Sequence, residues 1–176
     1  LKRSQFIHKI EAWAQTIQAK LTNEQEQLQL TYRTFISDIA ECEEAAIAAQ
    51  YREQLEQRAH QEQERGTTMI GPHRDDMMFA VNGVNVQAYG SQGQQRTTAL
   101  ALKLAEIELI CQEVGEYPIL LLDDVLSELD ETRQTHLIQS IQEKVQTFLT
   151  TTSTEGIHQD TLAAATVYDV EQGKVR

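Results

Sequence analysis

Residues Pro118 to Asp130, PILLLDDVLSELD, leave the chain few folds to choose from. Four apolar residues, Ile119 to Leu122, run unbroken between a proline and a pair of acids. So short an apolar run, closed off at both ends, predicts a strand buried on both faces, as in a parallel sheet flanked by helices. Asp123 and Asp124 follow at the carboxyl end of that strand, where open α/β sheets place their ligands. Two adjacent carboxylates at the lip of an apolar strand repel each other and lose hydration unless a cation or water sits there. Ser127 to Asp130 then offer polar capping groups for a following helix. The expectation is an α/β fold with its chemistry at the tip of this strand.

The segment before residue 66 reads as mostly helical. Phe6, Ile10, Trp13, Ile17 and Leu21 fall at steps of four, three, four and four, which is one helical face. Trp13 on that stripe is expected in the core, and Lys2, Arg3, Lys9 and Lys20 on a solvated face. A polar break at Asn23 to Glu26 precedes Leu28 to Tyr32, whose period-two alternation predicts a strand. Phe35 to Arg65 is helical again, with Ala40, Ile47, Tyr51 and Leu55 on one face. The two helices are expected to pack on each other as an arm or lobe, residues 1–65, ended by Gly66. The chain opens on Leu1 inside a helical pattern, which reads as a fragment or a processed piece.

Beyond Gly66, the loop TTMIGPHRDD holds His73, Arg74, Asp75 and Asp76. Their spacing fits no strong metal pattern, so a charged loop with an internal ion pair is expected. Asn82-Gly83 between MMFAV and VNVQAY signals a type I′ hairpin. YGSQGQQRTT, residues 89–98, is a small-residue loop entering a long helix, Gln94 to about Val114, with Leu100, Leu104, Ile107 and Cys111 on one face. Ser91 can cap that helix, and its free N–H groups and dipole make an anion site. After Asp130 comes a helix to about Lys144 carrying Leu137, Ile138 and Ile141. Val145 to Leu149 reads as another buried strand, ending in Thr150, Thr151, Thr152 and Ser153. Gly156 to Ala165 reads as an irregular connection, and Thr166 to Val175 as a last strand pair around Gly173.

Several function classes are disfavoured. A net charge of -12 lacks the overall basic footprint of a DNA-binding domain, so any DNA contact needs a local patch or a partner. Cys42 and Cys111 stand far apart in no metal or redox spacing, which suggests reduced thiols and a cytoplasmic location. No apolar run approaches the length of a membrane span. A P-loop is absent too. The only Gly-Lys pair is Gly173-Lys174, with Tyr168 at the first glycine position and Val175 at the hydroxyl position.

Three motifs occur in order: GPHRDDMMF at 71–79, YGSQGQQRTTALALKLAE at 89–106 and LLLDDVLSELD at 120–130. Together they resemble the RecF family of bacterial recombination and gap-repair proteins, which are ABC-type ATPases. The resemblance implies that 66–176 is the C-terminal half of an ABC-type ATPase head, with the helical arm as part of a second lobe. Ser91, Gln92, Gly93 and Gln94 then match the signature motif, which touches the γ-phosphate of ATP held by the other subunit. Asp123 matches the Walker B aspartate that holds Mg²⁺. Asp124 matches the acid that orients or deprotonates the attacking water, usually a Glu, and the shorter Asp implies slow hydrolysis. Ser127, Glu128, Leu129 and Asp130 match the D-loop at the dimer interface. The threonine run falls where many relatives place a switch histidine, so one of its hydroxyls could sense the γ-phosphate. The implied cofactors are ATP and Mg²⁺. The implied partners are gapped or junction DNA, a RecR-like recombination mediator and a second copy in an ATP-dependent homodimer. Lacking the Walker A half, the chain by itself is expected to be inactive.

Two other readings compete. In this form the chain could be a non-catalytic interaction or dimerisation module. Receiver domains also hold Mg²⁺ with an Asp-Asp pair, but they want it near the first strand and a lysine after a late strand. Here threonines follow Val145 to Leu149.

Overall fold

The computed structural model describes residues 2–36, 39–142, 144–155 and 157–176, and of Glu128 the backbone alone. The readings that touch Leu1, Ser37, Asp38, Glu143 and Gly156 lie outside the described residues.

Two helices form the spine. Helix α1, Lys2–Leu21, buries Ile7, Ile10, Ala14, Gln18 and Leu21. The expected stripe is therefore rotated: Phe6 is 46% and Trp13 38% exposed. The reason is steric. A face carrying Ala14, fully buried, lets another helix approach more closely than a face carrying an indole. That helix is α4, Gln92–Val114, whose Ala101 and Ala105 are also fully buried. Hydrophobic residues on both sides of this pair make two cores. One gathers Leu21, Leu100, Leu104, Ile107, Leu122, Leu137 and Ile138. The other gathers Ile7, Ile10, Ala14, Leu28, Leu30, Val81, Val86 and Ala105.

The second core is closed by a three-stranded antiparallel sheet, β1 (Leu28–Arg33), β2 (Asp76–Val81) and β3 (Val84–Asn85). Leu28 pairs with Val81 and Leu30 with Phe79, so the alternation read in β1 is the inward face. Asn82 and Gly83 both take positive φ, 51° and 78°, as a two-residue type I′ turn demands. Asn82 Oδ1 also accepts the Gln27 N–H at 2.8 Å, tying the turn to β1. The hairpin's second strand is shorter than expected. Asn85 Oδ1 accepts the Ala88 N–H and starts a one-turn helix, α3 (Val86–Tyr89).

Helix α2, Glu44–Arg65, follows a 3₁₀ turn at Ile39–Glu41, so Phe35 to Arg65 is not one helix. It ends at left-handed Gly66, as expected. It buries Ile47 alone, and Leu55 on the expected face is 40% exposed. The main neighbour of α1 is α4, so the expected arm of two long helices packed on each other does not form. A polar hub ties α2 to the rest. Asp75 Oδ2 accepts hydrogen bonds from Tyr32 Oη at 2.5 Å and Tyr51 Oη at 3.3 Å. Arg3 donates to the Pro72 carbonyl and lies 5.9 Å from the Tyr32 ring centroid. The GPHRDD loop has no ion pair among its own described residues. Arg74 instead donates to the Thr68 carbonyl and Thr67 Oγ1 at 3.0 and 2.9 Å.

The first core is closed by β4 (Leu120–Asp123) and β5 (Thr147–Thr150), a parallel pair crossed over by α5 (Glu131–Ile141). Helices cover one face of the pair only. Leu122 is 7% exposed, but Leu121 is 72% and Phe148 56% exposed, which corrects the expectation of strands buried on both faces. The stretch expected to be irregular holds α6, Gln159–Ala164. The last strand pair is present as β6 (Val170–Glu171) and β7 (Lys174–Val175).

Two outcomes follow. Ala105→Leu forces extra volume between α1 and α4 and lowers stability by about 1–3 kcal/mol in denaturant unfolding. Burial, then the hydrogen bond and charge of Asp75, push the Tyr32 phenol from its ordinary 10 up to about 12. Because the folded-state value is raised, that stabilisation is complete below the ordinary tyrosine range and vanishes as pH climbs through about 12. Alkaline absorbance titration should find this late-titrating tyrosine, and Asp75→Asn should lower its midpoint.

Candidate functional site

The tip of β4 is held by its neighbour strand. The parallel register sets Asp123 opposite Thr150. Thr150 Oγ1 donates to Asp123 Oδ1 at 2.5 Å and accepts the Asp124 N–H at 3.0 Å. Asp124 is left-handed, φ 51° and ψ 22°, a conformation Asp tolerates better than most residues. Its carbonyl accepts a hydrogen bond from Ser127 Oγ at 2.8 Å. A 3₁₀ turn, Val125–Glu128, comes next, with Leu126 and Leu129 sunk into the first core. Gln134 Nε2 on α5 donates to both their carbonyls, at 2.8 and 3.0 Å. Apolar plugs and side-chain bonds thus fix the lip, and both carboxylates stand exposed on it.

Those carboxylates suit a hard cation. Asp123 Oδ2 and the Asp124 side chain make no hydrogen bond among the described residues. Among the same residues, no three His, Cys, Asp or Glu side chains close a protein-only cage. Mg²⁺ needs no such cage, since one or two carboxylates with water and phosphate oxygens complete its octahedron.

The second candidate is the entrance to α4. A Cβ on Gly90 would lie 2.6 Å from the Val86 carbonyl oxygen, so only glycine lets the chain leave α3 this tightly. Gln95 Nε2 donates to the Val86 and Gly90 carbonyls, 3.2 Å each, and holds the bend. Ser91 and Gln94 form a capping box. Ser91 Oγ accepts the Gln94 N–H at 3.2 Å, and Gln94 Oε1 accepts the Ser91 N–H at 3.0 Å. The amides of Gln92 and Gly93 keep no intrahelical acceptor at the positive end of a 23-residue helix. Ser91 is exposed, and its hydroxyl hydrogen goes to no group among the described residues.

Arg133 links this entrance to the segment 127–130. Its Nη1 would lie 3.5 Å from a Cβ at Gly93 and pairs with Asp130 Oδ2 at 3.2 Å. Asp130 Oδ1 caps α5 by accepting the Arg133 N–H at 2.9 Å. Of the expected interface segment, Ser127 is turned to Asp124, Leu129 is buried, Asp130 is a helix cap, and the Glu128 side chain lies outside the described residues. Gly173-Lys174 sits at the β6–β7 turn, with Gly173 at φ 76°, and not between a strand and a helix.

Sequence reasoning missed Thr150, Arg133, Gln134 and Gln95 as holders of the site. Thr150 reaches Asp123 27 residues away, Gln95 reaches Val86 9 away, Gln134 reaches Leu126 8 away, and Arg133 lies beside Gly93 on another helix. The β4–β5 register brings Thr150 to Asp123, and the closeness of the two helix starts brings Arg133 to Gly93.

No protein-family model matches the chain. Over 175 residues it is 54% identical to the DNA replication and repair protein RecF of Staphylococcus carnosus, covering 99% of this chain and 47% of that protein. A structure of the recombination mediator protein RecF-ATPrS in the RecFOR pathway is similar with a TM-score of 0.77 at 32% identity, over 98% of this chain and 44% of that one. A RecF-ATP structure from the same pathway gives 0.74 at 33% identity, over 89% and 41%. The chain spans about half the length of the relatives it matches. The α/β fold, the parallel pair ending in Asp-Asp and the sequence likeness along nearly every residue agree: the chain belongs to the RecF family.

Proposed function

We propose that this chain supplies one half of an ATP-dependent DNA repair ATPase, and that two parts of its nucleotide sandwich lie on it. Asp123 would hold Mg²⁺, and Asp124 would orient the attacking water on the same subunit. The entrance of α4, Ser91 to Gln94, would meet the γ-phosphate of ATP bound by a second copy. Residues 127–130 would stand at the interface between the copies. The observation that carries this reading is the exposed Asp123-Asp124 pair at the carboxyl end of a parallel strand, locked in place by its neighbours. Gapped or junction DNA and a RecR-like mediator are proposed as partners of the whole assembly, in keeping with the repair and recombination names of its relatives.

Phosphoryl transfer depends on positioning and charge stabilisation, so a missing cradle is decisive. No lysine of this chain stands in a P-loop to grip the β- and γ-phosphates. The chain alone should therefore be inert toward ATP. The bare face around Leu121 and Phe148 supports the same division of labour, because an apolar sheet face this exposed calls for a covering segment. That face is also what favours the second reading, a non-catalytic interaction module.

The test joins this chain to a polypeptide carrying the preceding half of a RecF relative. ATP should drive dimerisation of the joined protein, measured by light scattering. Ser91→Arg should abolish it, and Asp124→Asn should keep the dimer while slowing hydrolysis by about 100-fold or more. ATP hydrolysis by the chain alone, lost in Asp124→Asn, would refute the division proposed here.

A further inference from the structure

We infer that Thr150 is a positioning residue of this site: one hydroxyl fixes the side chain of Asp123 and the backbone of Asp124 together, and so sets how the two carboxylates face a divalent cation. The inference rests on the reading of Asp123 as the cation-holding carboxylate.

A threonine hydroxyl has one hydrogen and two lone pairs. At Thr150 the hydrogen goes to Asp123 Oδ1 and a lone pair takes the Asp124 N–H. In this arrangement no hydroxyl hydrogen of Thr150 remains to donate to a phosphate. Thr151 is committed as well, donating to the Ser153 carbonyl at 2.8 Å.

The geometry needs such a hold. An aspartate left alone samples three χ1 wells, and a metal site can use only one. The bond to Oδ1 selects one and leaves Oδ2 open. The left-handed turn at Asp124 is gripped on both sides, its N–H by Thr150 and its carbonyl by Ser127. Threonine fits the task because its β-branched χ1 is stiff and suits a strand. The parallel register then does the aiming, since Asp123 and Thr150 are paired positions. Thr150 is exposed, so the fold does not rest on its burial.

Thr150→Val keeps the shape and removes both bonds, whereas Thr150→Ser restores the hydroxyl. Both are compared with the unsubstituted chain by NMR, with Mn²⁺ as the probe. In the Val variant the Asp124 amide should exchange about tenfold faster. The Asp123 Hα–Hβ couplings should change from those of one rotamer to an average. Mn²⁺ affinity, read from selective broadening at Asp123, should fall about tenfold. The Ser variant should match the unsubstituted chain in all three. A Val variant with unchanged exchange and couplings overturns the inference, and so does a Ser variant that behaves like Val. Held couplings and slow exchange without any Mn²⁺ broadening in the unsubstituted chain leave the positioning role standing and remove the cation reading alone.

Discussion

The contact on which the structure depends is that between α1 and α4. It is made possible by small residues. Ala14, Ala101 and Ala105 are fully buried, and without side-chain bulk the helices come close. Every other layer is built on that pair. The antiparallel sheet closes the core on one side through Leu28, Leu30 and Val81. The parallel pair and α5 close the core on the other through Leu122, Leu137 and Ile138. Since α4 carries the Ser91 entrance at its start and packs against the strand that ends in Asp123, the same contact sets both candidate sites in one frame.

Within that frame the acid pair is held by a relay of ordinary interactions. Leu126 and Leu129 anchor the turn by burial, Gln134 satisfies their carbonyls, and Ser127 and Thr150 hold the peptide units around Asp124. None of these groups is unusual alone. Their convergence lets a left-handed aspartate persist at the end of a strand, where loose geometry would spread the carboxylates over several arrangements.

Much of this was legible in the residues, and the limits have physical causes. Asn82-Gly83 specified its turn because few dipeptides accept two positive φ values. Ser91 was legible as the cap of α4 because a cap bonds an amide only three residues along the chain. The face of α1 was misread because hydropathy favours Trp13 where packing favours Ala14. The arm was misread because periodicity shows that α2 has an apolar side but not what lies against it.

The sequence by itself determined the elements whose causes lie within a few residues: helices with their caps, the I′ turn, the strand that stops at two acids, and the missing P-loop. The tertiary structure alone decided which helix α1 would join, which face of β4 stayed bare, and that a threonine 27 residues further on would hold Asp123. The division is physical. Caps and turns are satisfied by neighbours along the chain, while close packing and strand register are settled only when distant segments meet.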